Sequence, residues 1–174
     1  MNAGKWNNWY AGIEEPAAYG NTPSYEMGAV WLKNCKTVED WGCGKGWFST
    51  FVKPDRYRGI DGSKTPFANE VVDLTQYHSQ VEGIFMRHVL EHDFRWAEIL
   101  DNALESFTKR MFLVLFTPLA ETTGDIEFED PPGVPNIAFR LSDLTDRMDK
   151  LKVEHETFAS ETKYDTETVF RIAR

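Results

Sequence analysis

Long apolar runs are missing from this chain. No stretch approaches the roughly 20 residues that a bilayer-spanning helix requires, so any membrane contact would be peripheral. Cysteine is nearly missing as well. With only Cys35 and Cys43 in 174 residues, no disulfide framework can form. No apolar signal-like segment opens the chain, so a reducing compartment, the cytoplasm, is expected. Lysine and arginine form no dense cluster, and 19 of them against 28 acids leave a formal charge of −9. Long nucleic acid therefore finds no phosphate-tracking stripe. Internal repeats are absent. Aromatic residues, in contrast, are abundant: 12 Phe, 6 Trp and 6 Tyr within a hydrophobic fraction of 41% exclude a disordered chain. The length suits one domain with a full core and is too short for two comfortable ones.

Short apolar runs of β type recur at 37–41, 57–60, 70–72, 83–87 and 111–116, each ended by glycine, an acid or a polar residue. Helical patterns sit between most of them. Residues 47–52 suggest a short helix, and Ser63-Lys64-Thr65-Pro66 offers a capping hydroxyl followed by proline at a first helical position. Phe94, Ala97, Leu100, Leu104 and Phe107 recur at helical spacing behind a candidate cap at Asp93. Strands alternating with helices predict βαβ units, hence an α/β fold with a mostly parallel sheet and right-handed crossovers. Further on, Leu141, Leu144, Met148 and Leu151 form another helical face. Two strand-like runs at 153–158 and 168–172 predict an antiparallel hairpin at the sheet's edge. Residues 117–140, with four prolines and five carboxylates, form a long loop of the kind that is functional or mobile in small domains.

The densest local signal is Val38-Glu39-Asp40-Trp41-Gly42-Cys43-Gly44-Lys45-Gly46-Trp47. Three alternating glycines between a strand and a helix expose main chain without side chains, and they predict free N–H groups beside a ligand. Dinucleotide folds space their glycines G-x-G-x-x-G; here Trp47 holds the third position, which counts against NAD. No Gly-Lys-Ser/Thr closes the turn, which excludes a Walker-type phosphate loop.

With an acid two residues ahead of a G-x-G-x-G turn, this segment resembles the class I S-adenosylmethionine-dependent methyltransferases. The resemblance continues in order along most of the chain, through Tyr57-Arg58-Gly59-Ile60-Asp61-Gly62, Asp73-Leu74 and Met86-Arg87-His88-Val89-Leu90-Glu91-His92. It implies a Rossmann-like seven-stranded sheet, mostly parallel with an antiparallel C-terminal hairpin and helices on both faces. It divides a single domain into an N-terminal helical or lid segment (1–34), a cofactor-binding core (37–116), a substrate-side loop (117–140) and a C-terminal helix and hairpin (141–174). It implies S-adenosylmethionine as cofactor and S-adenosylhomocysteine as product. The implied cofactor residues are Asp40, bracing the turn; Gly42, Cys43, Gly44 and Gly46 in it; Asp61 and Gly62 at the ribose; Asp73 and Leu74 at the adenine; and Arg87. Cys43 reads as a small filler and not as a nucleophile.

His88, His92 and Glu91, in that order, are the candidates for a base or substrate orienter, because the end of the fourth strand lies by the cofactor's sulfur in that family. The same five residues also match H-x-x-E-H, a zinc hydrolase signature. That motif needs one continuous helix, whereas here it straddles a strand end, so no metal is assigned. No Asp/Asn-Pro-Pro-Tyr/Phe follows the fourth strand, which together with the acidity argues against methylation of duplex DNA. The reading is a methyltransferase acting on a small molecule through an oxygen or nitrogen nucleophile. A catalytically silent S-adenosylmethionine-binding subunit is the alternative, and a homodimer or partner protein is left open. Two segments are candidates to cover the site: the aromatic stretch around Trp6, Trp9, Tyr10, Tyr19 and Tyr25, whose rings could equally serve only packing, and the acidic loop with Asp125, Glu127, Glu129 and Asp130.

Overall fold

A computed structural model describes residues 3–20, 23–126 and 134–174; Glu127, Glu129 and Asp130 of the acidic loop lie outside them. Helices α1 (Ala3–Tyr10) and α2 (Pro23–Trp31) precede strands β1 (Val38–Trp41), β2 (Tyr57–Asp61), β3 (Glu70–Val71) and β4 (Val81–Arg87). Next come α3 (Trp96–Ser106), β5 (Phe107–Leu115), the short β6 (Gly124–Asp125) and β7 (Ile137–Ala138), α4 (Leu141–Thr145), β8 (Lys152–Ala159) and β9 (Thr166–Ala173). Seven strands form one sheet in the order β3-β2-β1-β4-β5-β9-β8, while β6 and β7 pair by themselves. Strands β1 to β5 run parallel; β9 is antiparallel to β5 and β8 is antiparallel to β9. The chain order reverses between β1 and β4, and ligands of open α/β sheets bind beyond the carboxyl ends at such a switch point.

Alternation along the strands supplies two cores. Ile84, Met86, Met111 and Leu113 face α3 with Trp41, Ile60, Leu100 and Phe139. Phe85, Phe112 and Val114 face α2 with Tyr25, Leu32 and Phe48. The second face is closed tightly: Phe48 and Phe85 stack with centroids 3.7 Å apart. A Cβ on Gly28 of α2 would lie 2.5 Å from Phe85, so only glycine lets this helix approach so closely. Among the described residues no helix is long and apolar enough to cross a membrane.

Three local expectations change. Residues 63–66 form no helix; Ser63 and Thr65 are buried, and the Thr65 hydroxyl donates to the Gly44 carbonyl at 2.6 Å, so it ties a loop beneath the glycine turn. Residues 47–50 make a single 3-10 turn, too short for an appreciable dipole. Helix α3 begins at Trp96 with Phe94 left 65% exposed, and Phe107 opens β5. That strand is longer than its apolar pattern because Thr108 to Arg110 are polar residues near the open end of the ladder.

Candidate active site

The site begins where β1 runs into its glycines. Gly42, Gly44 and Gly46 have φ of 77°, 50° and 69°, a left-handed conformation that costs other residues roughly 1–2 kcal/mol. Each also has a close neighbour: a Cβ on Gly42 would sit 2.3 Å from Val89, and one on Gly46 2.4 Å from Phe67. The N–H groups expected to face a ligand are engaged inside the protein. Gly42 and Cys43 donate to the Ile60 carbonyl at 2.7 and 3.1 Å, Gly46 donates to the Cys43 carbonyl at 2.8 Å, and Gly44 donates to Asp61 Oδ2 at 2.9 Å. The turn folds back on the end of β2, whose acceptors collect the Gly42, Cys43 and Gly44 donors. What Gly42 and Gly44 present to the adjoining space is therefore bare Cα surface.

The bracing role expected of Asp40 falls to Asp61. Its two oxygens accept from Gly44 and, at 2.8 Å, from the Ser63 N–H. Burial raises its carboxyl above the usual range, against the pull of the Gly44, Ser63 and Gly62 N–H groups. Asp40 lies behind the turn, accepts from the Tyr57 hydroxyl at 2.9 Å, and is pushed up to about 7 by burial, with Tyr57 opposing. Burial also pushes the Cys43 thiol up, with Asp40 and Asp61 adding to the effect, so this cysteine is inert. Asp73 is half-exposed and accepts from the Thr75 N–H at 3.0 Å and its hydroxyl at 2.8 Å. Slight burial raises the Asp73 carboxyl, and Thr75 and Arg95 more than offset it, leaving the group below its ordinary value.

At the end of β4 the chemistry differs. Arg87, read from sequence as a cofactor residue, spends its guanidinium inside the protein. It donates to Glu167 Oε1 at 2.7 and 3.1 Å, to the Ser24 hydroxyl at 3.0 Å, to the Tyr25 hydroxyl at 2.9 Å and to the Tyr19 carbonyl at 3.0 Å. Next to it, His88 adopts φ 58°, and its Nε2 lies 2.8 Å from the same Glu167 oxygen. Burial, and then the Arg87 charge, lower His88 to about 4 despite Glu167. Glu91 is fully buried in the 3-10 turn Leu90–His92; Oε1 accepts from the Phe116 N–H at 2.6 Å and Oε2 has no hydrogen-bond partner. Burial raises Glu91 to about 8, so it is protonated at neutral pH. His92 Nδ1 lies 3.1 Å from the Pro135 carbonyl, and its ring packs between Trp6 and Phe116, both centroids 5.3 Å away. Among the described residues no group of three or more His, Cys, Asp or Glu is placed to hold a metal ion.

Between these two ends lies a cavity of about 500 Å³. Of the residues predicted from sequence, Gly42, Gly44, Asp61, Gly62, Leu74, Arg87, His88 and His92 line it; Asp40, Cys43, Gly46, Asp73 and Glu91 do not. The N-terminal segment covers it with Trp6, Trp9, Tyr10 and Tyr19. That segment is pinned to the glycine turn: the Ala17 N–H donates to the Lys45 carbonyl at 3.1 Å, and Lys45 Nζ sits 4.3 Å above the Tyr19 ring. Sequence reading missed the contributions of the C-terminal hairpin turn, Glu161, Thr162 and Lys163, and of Phe116.

No family model and no curated protein matches the sequence. Solved structures do match along nearly all of it. Magnesium protoporphyrin IX methyltransferase (ChlM) from Synechocystis PCC 6803, with bound SAH, superposes with a TM-score of 0.67 at 14% identity, covering 99% of this chain and 95% of that one. The 1,6-didemethyltoxoflavin-N1-methyltransferase of Burkholderia thailandensis, with its substrate and S-adenosylhomocysteine, gives 0.70 at 12% identity over 98% and 82%. The N-methyltransferase NodS from Bradyrhizobium japonicum WM9, with SAH, gives 0.64 at 13% identity over 99% and 97%. The chain has the class I methyltransferase fold. In this fold the β1–β4 switch point coincides with the cavity between Asp61 and His88.

Proposed function

We propose that this protein is an S-adenosylmethionine-dependent methyltransferase acting on a small molecule that carries an oxygen or nitrogen nucleophile. The observation that carries this reading is the placement of Asp61 beside the side-chain-free surface of Gly42 and Gly44, in a cavity at the sheet's switch point. The residues fit the cofactor. Asp61 Oδ2 accepts from Gly44 and Oδ1 from Ser63, which leaves the carboxylate lone-pair capacity for a ribose hydroxyl. Leu74 offers an apolar face to the adenine, and the bare glycines leave room for the amino-acid tail. The rings of Trp6, Tyr10, Tyr19 and Phe116 give the cavity an aromatic lining that suits a cationic sulfur.

When bound, S-adenosylmethionine supplies an activated sulfonium methyl that passes to a nucleophile in line behind it. The protein's own task is alignment, worth on the order of 7–11 kcal/mol when it is complete. His88 is neutral at physiological pH and lines the cavity, so it can accept the acceptor's proton. A weak base suffices where the attacking atom is a hydroxyl oxygen or a non-basic nitrogen such as that of an amide, because its proton becomes strongly acidic as the atom takes on the methyl group. His92, between Trp6 and Phe116, orients the acceptor, and the protonated Glu91 holds the start of the chain segment after β5 through Phe116. Asp73, outside the cavity lining, reaches the adenine edge only from the rim.

Melting the protein with S-adenosylhomocysteine and with NAD in parallel tests the reading. A ligand at 100 times its Kd adds about 2.7 kcal/mol of stability; S-adenosylhomocysteine is expected to raise Tm and NAD to leave it unchanged. The reverse pattern, or no shift with either, refutes it.

A further inference from the structure

We infer that Glu167, on the last strand, is the positioning residue that fixes which nitrogen of His88 faces the cavity, and so makes Nδ1 the proton acceptor. The inference rests on the methyltransferase reading for its chemical meaning, and on the contact network alone for its geometry.

Glu167 is completely buried at the start of β9, and its side chain is saturated with donors. Oε1 receives Arg87 Nε and Nη2, the Ser24 hydroxyl at 3.2 Å and His88 Nε2 at 2.8 Å; Oε2 receives the Ser160 hydroxyl at 3.0 Å. Burial works against its charged form, and His88, Arg87 and Ser160 together overcome that, holding the carboxyl below its ordinary range. An ionised carboxylate accepts hydrogen bonds and donates none. A 2.8 Å contact between Glu167 and His88 Nε2 therefore requires the proton on Nε2. In the neutral ring the lone pair is then on Nδ1, and His88 lines the cavity.

Two independent features agree. His88 adopts φ 58°, a conformation that persists in a non-glycine residue only where the surroundings over-determine it; here its N–H donates to the Val114 carbonyl at 3.0 Å while Glu167 holds the ring. Arg87 and the hydroxyls of Ser24 and Ser160 hold the carboxylate without using His88 at all, so the histidine contact is additional to what the buried ion pair needs.

The resulting step balances. The acceptor's O–H or N–H bond breaks, its electron pair bonds to the methyl carbon, the S–C pair stays on sulfur, and the proton goes to Nδ1. The imidazolium so formed lies beside the Glu167 charge and later loses its proton to solvent. The acceptor must therefore carry a proton on the attacking atom.

Long-range 15N–1H correlation spectra of the full chain, with the His88 signals assigned through His88→Gln, decide the matter. The expected result is a single neutral tautomer with hydrogen on Nε2 and a pyridine-like Nδ1, persisting to below pH 5. In Glu167→Gln, whose amide can also donate to Nε2, a mixture of tautomers is expected; a role confined to pairing with Arg87 would leave the tautomer as it is. Hydrogen on Nδ1 in the unaltered protein overturns the inference, as does an unchanged single tautomer in a folded Glu167→Gln. If that variant fails to fold, the unaltered protein's spectrum alone decides. S-adenosylhomocysteine binding is measured separately: binding with hydrogen on Nδ1 overturns only the positioning role. Hydrogen on Nε2 without binding supports Glu167's hold on His88 and removes only the methyl-transfer reading.

Discussion

The two ends of the cavity are built by opposite means. At the β1–β2 end, cavity surface is made by leaving side chains out: three left-handed glycines whose donors are all absorbed locally, with one carboxylate, Asp61, bracing the turn from a strand away. At the β4–β9 end it is made by packing charge in: Arg87 meets Ser24 from 63 residues upstream and, together with His88, meets Glu167 from 80 residues downstream of Arg87, with Ser160 beside Glu167. The first end depends on backbone shape and tolerates no added atoms. The second depends on every buried charge having its partner.

That contrast can be broken at several points, taken here from the largest expected effect downward. Glu167→Leu leaves the Arg87 guanidinium buried without its anion, and removing one partner of such a pair costs about 3–5 kcal/mol. Thermal melting is expected to show a Tm lower by on the order of 10 °C, and Arg87→Met added to Glu167→Leu is expected to recover most of it. A shift of a degree or less in the single variant would show that the charges are solvated. Gly42→Ala places a methyl 2.3 Å from Val89 at φ 77°, and strain with overpacking together cost about 2–4 kcal/mol. Urea unfolding measures this, with loss of S-adenosylhomocysteine binding expected alongside; wild-type values for both would contradict the turn's geometry.

The buried acids give a smaller effect with a definite sign. Glu91 has a folded pKa of about 8 against an ordinary 4.5, so its contribution is fully present below the unfolded value and is lost as pH rises toward 8. Asp40, raised to about 7, acts in the same direction. His88, lowered to about 4 from 6.5, acts in the opposite one: its contribution is present above 6.5 and is lost as pH falls toward 4. Glu91→Gln is therefore expected to remove about 1–3 kcal/mol of the decline in unfolding free energy between pH 5 and pH 8. A slope equal to that of the parent protein would show that Glu91 is ionised. The smallest effect belongs to Asp73, outside the cavity lining: Asp73→Asn is expected to weaken S-adenosylhomocysteine by several-fold, about 1 kcal/mol. A hundredfold loss in calorimetry would move Asp73 into the site.

How far each end could be read from sequence follows from how it is built. Gly42, Gly44 and Asp61 form a local pattern, because a strand, a turn and the end of the next strand repeat at fixed spacing. The alternating strands and the 152–173 hairpin were legible for the same reason. That Asp61 and not Asp40 braces the turn was not, since both acids sit at strand ends and only the fold shows which one meets the Gly44 N–H. Ser63 and Thr65 carry the residues of a helix cap, yet they are buried under the turn, where tertiary hydrogen bonds outweigh local propensity. Arg87 and Glu167 lie 80 residues apart, and nothing periodic links them. Their pairing appears only once β9 lies antiparallel beside β5, at the carboxyl end of the parallel strands.

The central claim is that Asp61, beside the bare surface of Gly42 and Gly44, holds the ribose of an adenosyl cofactor. Isothermal titration of S-adenosylhomocysteine into the protein and into Asp61→Asn addresses it most directly. The expected result is one saturable site in the parent, weakened at least about tenfold in the variant, with circular dichroism showing that both are folded. Absence of heat in the parent, or equal affinity in the two folded proteins, would contradict the claim.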